Sequence, residues 1–421
     1  MINRYWNSAV KYTVLILPRR KEIKVCFIIL LFGISELLYA QSMTWIQATD
    51  SAGWTARVEH TTVAFDNKIW VIGGSDYYAL KNDAWYSTNG INWTMATNSA
   101  AWSPRCFHTS AVFDNKMWVL GGVDDQVLKN DVWYSSNGIN WFCAVNPAAW
   151  PSRGAHRSVV YNNKIWILGG TDYNQNLLND VWYSSDGINW TCATSHANWS
   201  PRSQFAAVVF DNKIWIFGGG GWPPSNDVWY SSDGVTWICA TDSAGWSGRF
   251  GHTAVVFDNK MWIIAGCDYN GLKNDVWYSS DGVNWICATN SPGWRWRDEH
   301  TSVIFDNKIW ILGGYAGSSI WEHDVWYSNG LNDIVEDEND NQIKEVMRII
   351  PNPISSRFNL ELNRIDDVIL VYNLAGKLVK QVNWTKHNRQ IDISNLPNGV
   401  YFISSKHSKN KILSKVVKIS R

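Results

Sequence analysis

RFGHTAVVFDNKMWIIAGCDYNGLKNDVWYSSDGVNWICAT, residues 249–289, is one complete structural unit, and the chain writes it six times. Its first run, His252 to Phe257, is small and β-branched, which suits an inner strand buried on both sides. Asp258-Asn259 supplies residues that tolerate positive φ, so a tight turn is expected there. Lys260 to Ile264 reads as the second strand, and Asp275 to Ser279 as the third. Asp281-Gly282 is a hairpin signal that leads into a fourth strand at Val283 to Ile286. No window of the unit carries a helical period.

The other copies keep the frame R-x-x-H, apolar run, [FY]-[DN]-N-K-[IM]-W, G-G, variable loop, [NH]-D-x-W-Y-S. The first glycines of the pairs are Gly73, Gly121, Gly169, Gly218 and Gly313, with Ala265 in that slot in copy five. The steps between them are 48, 48, 49, 47 and 48 residues. A period in this range with four short strands per unit predicts the blade of a β-propeller. Copy six stops after Ser328 without a fourth strand. Thr44-Trp45-Ile46-Gln47-Ala48-Thr49 is that strand, and Thr49 to Trp54 repeats Thr241 to Trp246 letter for letter. The N-terminal strand is therefore expected to complete the last blade and close the ring, which leaves no open edge between first and last blades.

The chain has 29 tryptophans, and most recur in register, as packing residues do. Trp6, Trp222, Trp296, Trp321 and Trp384 fall outside the repeat. These repeats resemble the kelch family over residues 43 to 330. The resemblance implies that loops between strands two and three share one face with the links between blades, and that short turns occupy the other. Two departures stand out: Phe205 replaces the repeated histidine in copy four, and Ala265 replaces a glycine in copy five.

The ends carry an address. Residues 19–24 are basic, Val25 to Tyr39 is mostly apolar, and Ala40 offers a cleavage position, so residues 1–40 read as a signal peptide region. Residues 1–18 are long for such a region, which leaves a later translation start open. Residues 331–345 read as an acidic linker. Residues 346–421 alternate in short runs that predict an Ig-like β-sandwich. Pro351-Asn352-Pro353, Leu396-Pro397-Asn398-Gly399-Val400-Tyr401 and the closing Lys415 to Ile419 resemble the C-terminal sorting domain of type IX secretion cargo. That resemblance implies a Gram-negative source, recognition by the type IX export machinery, and an extracellular or outer-membrane surface location. The expected architecture is thus all-β: a six-bladed propeller over residues 41–330 with a second, sandwich domain.

Charge separates these parts. Residues 344–421 hold 14 basic and 5 acidic groups, net +9, while residues 41–343 hold 17 and 30, net −13. An acidic propeller argues against nucleic acid as a partner. Cys143, Cys192, Cys239 and Cys287 share one slot in four successive blades, too far apart to bridge, and read as small buried hydrophobes. No zinc-type spacing occurs, so neither metal nor cofactor is expected, and a monomer is.

Arg57, Arg105, Arg153, Arg202, Arg249 and Arg297 precede the inner strands and gather at the channel mouth. Their forked donors suit carboxylates, either of a ligand or of the aspartates that open the third strands (Asp83, Asp131, Asp180, Asp227, Asp275, Asp324). Where repetition fails, Trp222, Trp296, Glu299, Trp321, Glu322 and His323 mark loops of copies four to six. Indoles beside charged groups suit a sugar ring or a peptide, so a non-catalytic module for glycan or extracellular protein is expected. Enzymatic alternatives rest on resemblance. Sialic acid mutarotases are similar six-bladed kelch proteins, which points to Glu299 or His300 near Arg297. Ser231 to Trp237 resembles the Asp-box of sialidases. Cys267-Asp268-Tyr269 is a thin echo of the copper site of galactose oxidase.

Overall fold

A computed structural model describes residues 43–328, apart from 126 and 222, and in the C-terminal region 347–350, 357–362, 367–373, 377–384, 390–405 and 413–418. The chain divides between residues 334 and 335 into two units. The signal peptide region and the acidic linker lie outside the described residues.

Six antiparallel sheets, each with four main strands, make the first unit, and none of its described residues is helical. In blade 5 the strands run Thr253–Phe257, Lys260–Asp268, Gly271–Ser279 and Ile286–Thr289, from the axis outward. Blade 6 takes Thr301–Phe305, Lys308–Tyr315 and Trp321–Ser328 from one end of the chain and Trp45–Thr49 from the other. The closing strand pairs Trp45 with Ser328, Ile46 with Tyr327 and Gln47 with Trp326. Inner strands of neighbouring blades pack round the axis, including blade 6 against blade 1.

The repeated residues explain how the blades hold. Asp258 and Asn259 both take positive φ in the first turn, as do their counterparts in the other blades. The first residue of each G-G pair sits at a register shift with φ near +55, and Ala265 adopts the same conformation at φ 54. The outer hairpin is locked by side chains: Ser231 Oγ accepts from the N–H groups of Asp233 and Gly234, and Asp233 Oδ1 from those of Val235 and Thr236. This turn chemistry accounts for the Asp-box-like segment. Its glycine is also an interblade contact. A Cβ on Gly138 would lie 2.1 Å from Trp70 Cζ3 of the preceding blade, and Gly90 stands in the same way against Trp310 across the ring closure.

Two expectations change. The inner strands hold half-buried as well as buried residues, because the first two residues of each, Thr61 and Thr62 or Thr253 and Ala254 for example, line the axial channel. Cys143, Cys192, Cys239 and Cys287 are exposed, not buried. They lie on the outermost strands, whose far flank has no neighbour, and the first two residues of each such strand face solvent.

The second unit has a three-stranded sheet (Met347–Ile350, Arg357–Leu362, Gln390–Asp392) and a four-stranded sheet (Leu378–Trp384, Asp367–Asn373, Gly399–Ser405, Leu413–Lys418). Ile391 and Ile393 pack with Ile369, Val371, Tyr401 and Ile403. This is the core of a small sandwich.

Candidate functional site

The six arginines are wholly buried and face aspartates of their own blades. Arg105 Nη1 lies 2.6 Å from Asp131 Oδ1, and Nη2 lies 2.8 Å from Oδ2. Its remaining donors go to the Gly121 carbonyl, the Ser103 carbonyl and the Ser103 hydroxyl. Arg57, Arg153, Arg202, Arg249 and Arg297 hold Asp83, Asp180, Asp227, Asp275 and Asp324 in the same bidentate way. A tryptophan N–H completes each aspartate, as Trp133 does for Asp131 at 2.8 Å. Burial works to raise the Asp131 carboxyl, but the hydrogen bonds and charge of Arg105 outweigh it and hold the acid below its usual 3.8. These arginines tie the blade links to the third strands, and their donors are spent inside the protein.

The residue before each repeated histidine proves more informative. Glu59, Phe107, Ala155, Gln204, Gly251 and Glu299 all have positive φ. From Phe107 round to Glu59 their backbones hydrogen-bond in series: Ala155 to Phe107, Gln204 to Ala155, Gly251 to Gln204, Glu299 to Gly251 and Glu59 to Glu299. They form a collar at the start of the inner strands. The third letter of R-x-x-H marks it in the sequence, with Gly251 as the only residue type that adopts positive φ freely.

The collar is not symmetric. Glu59 and Glu299 share a hydrogen bond, Cys106 bonds Glu59, and Gln204 Nε2 reaches across to Glu299 Oε1 at 3.2 Å. Burial pushes Glu59 to about 7 against its hydrogen bonds, and Asp298 adds to the rise. Burial first, then the Glu59 carboxyl, carries Glu299 to about 8. Neighbouring Asp298 is buried with Oδ1 unpartnered, and burial together with Glu299 raises it to about 7. Three carboxyls therefore titrate near neutrality in one sector. Cys267 rises to about 11 by burial and nearby acid charge. Glu59 and Glu299 stand together only through ring closure, 240 residues apart in sequence.

Behind the collar lies an axial cavity of about 200 Å³, lined by inner-strand residues of all six blades. A belt of histidines and threonines runs round it. Thr61, Thr109, Thr253 and Thr301 each place Oγ1 3.0–3.2 Å from Nε2 of the histidine in the next blade (His108, His156, His300 and His60). Burial, then the adjacent arginine, lowers His108 and His300 to about 3, so both stay neutral. Among the described residues, no group of three or more His, Cys, Asp and Glu is placed to hold a metal ion.

The remaining candidates lie on the loop face. The blade links run beside the ends of the second strands, as in the pairing of Arg57 with Asp76. Trp296 is 57% exposed and donates its N–H to the Ala316 carbonyl at 3.0 Å. Trp321 is half-buried and stands edge-on to Tyr77, with ring centres 6.1 Å apart. Tyr77 in turn meets Tyr78, and the two are 66% and 90% exposed. Glu322 pairs with Arg295 at 3.5 Å, while His323 faces Trp54 and its carbonyl. Trp222 lies outside the described residues. Trp321 thus meets a tyrosine of blade 1 across the ring closure, while Trp296 lies against the blade 6 loop at Ala316. Tyr77 and Tyr78, which sequence reasoning did not single out, sit in a variable loop with no repeat to mark them.

Comparison with known families gives three matches. The KLHDC2/KLHL20/DRC7 Kelch-repeats domain matches residues 155–286, and the Kelch motif matches residues 104–134. The secretion system C-terminal sorting domain matches residues 348–419. No curated protein matches the chain. The fold is therefore that of a kelch propeller, and the sorting domain marks export by type IX secretion to the cell surface or extracellular space.

Proposed function

We propose that this exported kelch propeller is a non-catalytic module that binds an extracellular glycan on its loop face. The carrying observation is the aromatic character of the loop face: exposed Tyr77 and Tyr78 of blade 1 stand against half-buried Trp321 of blade 6, and exposed Trp296 lies on the blade 6 loop at Ala316. Solvated aromatic rings are costly to leave bare, and a sugar ring covers one while its hydroxyls reach polar neighbours. Arg295 and Glu322 supply such neighbours beside Trp296 and Trp321. The net −13 of residues 41–343 disfavours nucleic acid. Glycan-array binding by the full chain, lost in the Tyr77→Ala/Tyr78→Ala/Trp296→Ala variant, is the expected result. An array with no signal, or one the triple variant leaves unchanged, overturns the glycan assignment; a defined extracellular protein bound through the same residues would replace it.

One observation favours a second reading. Glu59 and Glu299 titrate near neutrality at the channel mouth, as general acid–base groups do. Mutarotase-like proton exchange on sialic acid above the buffer rate, lost in Glu299→Gln, would support it; exchange at the buffer rate removes it.

A further inference from the structure

The belt of threonine and histidine breaks at one place. In blade 3 the threonine position is Arg157, and the histidine that would meet it in blade 4 is Phe205. In blade 4 the threonine position is Ala206, so His252 of blade 5 meets no hydroxyl. The consequence is a set of polar groups without partners. His252 is 1% exposed, and its Nε2, the atom that the other four repeated histidines set against a threonine, has no hydrogen-bond partner. Ser158 Oγ, next to Arg157, and Ser302 Oγ are buried and unpartnered too. Arg157 makes one hydrogen bond among the described residues, from Nη1 to the His156 carbonyl at 3.0 Å, and no carboxylate pairs with it. Every other inner arginine spends its fork on an aspartate. All four groups, Arg157, Ser158, His252 and Ser302, line the axial cavity.

An arginine held in a low-dielectric channel without a counter-charge is costly unless an anion joins it. Burial lowers Arg157 to about 10, which still leaves it charged at neutral pH. Its planar fork matches a carboxylate, and Ser158 and His252 add hydrogen-bonding capacity around it. We propose that the axial channel is a binding site for a small carboxylate, with Arg157 as the anchor and Ser158 and His252 as its partners. This site is separate from the loop-face aromatics and stands or falls independently of the glycan reading.

The test is calorimetric titration of the full chain with lactate and glucuronate, against glucose as the neutral control and inorganic phosphate as the other oxyanion. At least one carboxylate should bind saturably and glucose should not. Arg157→Gln, which keeps size and loses charge, should weaken binding about tenfold or more. Ala206→Thr rebuilds the belt by giving His252 its hydroxyl, and should weaken the same carboxylate while leaving Arg157 in place. Absence of saturable carboxylate binding overturns the proposal, as does binding that both folded variants retain in full. Binding of phosphate alone overturns the carboxylate assignment.

Discussion

Replacing Glu299 with glutamine should stabilise the protein, by an amount that grows as pH rises above 4.5 and is complete near 8. Glu299 shares a hydrogen bond with Glu59, accepts one from Gln204, and lies beside Asp298. Cys106 reaches the same pair through Glu59, and His300 follows Glu299 as a neutral ring. The folded acid value is raised from 4.5 to about 8, so the folded chain keeps a proton that the unfolded chain gives up. Stability therefore declines as pH rises from 4.5 towards 8, then levels off. At ~1.4 kcal/mol per pH unit that interval corresponds to roughly 5 kcal/mol. Glu299 is only half-buried, and screening on its exposed side cuts the figure to about 2–3 kcal/mol. A glutamine is never charged, fits the same space and can still donate to Glu59. Denaturant titrations at pH 4 and pH 9 decide the matter. Wild type and Glu299→Gln should agree at pH 4, and the variant should gain about 2–3 kcal/mol at pH 9. An equal difference at both pH values, or a loss at pH 9, refutes the buried-pair reasoning.

Gly138→Ala should cost about 3 kcal/mol in a denaturant titration, since it combines a left-handed φ of 73 with a Cβ 2.1 Å from Trp70. A cost below about 1 kcal/mol would mean that the interblade contact is loose. Asp131→Ala should cost about 3–5 kcal/mol, because it strands the buried Arg105, whereas Arg105→Met/Asp131→Leu should cost less than that single change. A double variant worse than Asp131→Ala contradicts the pairing. In the native protein a maleimide should label Cys143, Cys192, Cys239 and Cys287 and spare the buried Cys106, as read by intact and peptide mass. Labelling of the four only after unfolding would contradict their exposure.

The parts legible in the sequence are those that every blade needs. The closing strand could be read because Thr49 to Trp54 duplicates Thr241 to Trp246. The alternative roles of the six arginines could be framed because an aspartate recurs at a fixed place in each copy. What escaped depends on neighbours the repeat does not encode. Glu59 gains meaning only beside Glu299, on the far side of the ring closure. Arg157 looks unremarkable until Phe205 and Ala206 are seen to remove the partners of a belt. The four cysteines have strand-like neighbours and read as core, yet the outermost strand has a bare flank. Tyr77 and Tyr78 lie in a loop of free length, where no periodicity distinguishes a binding residue from a connector.

The account turns on the strand Trp45–Thr49 completing blade 6, since the collar, the channel and the grouping of Tyr77 with Trp321 all require a closed ring. Hydrogen exchange followed by mass spectrometry tests this directly. Peptides covering residues 45–49 should be protected as strongly as the equivalent outer strand Ile286–Thr289. Exchange at the rate of a free chain end would mean an open ring, and would contradict the closure.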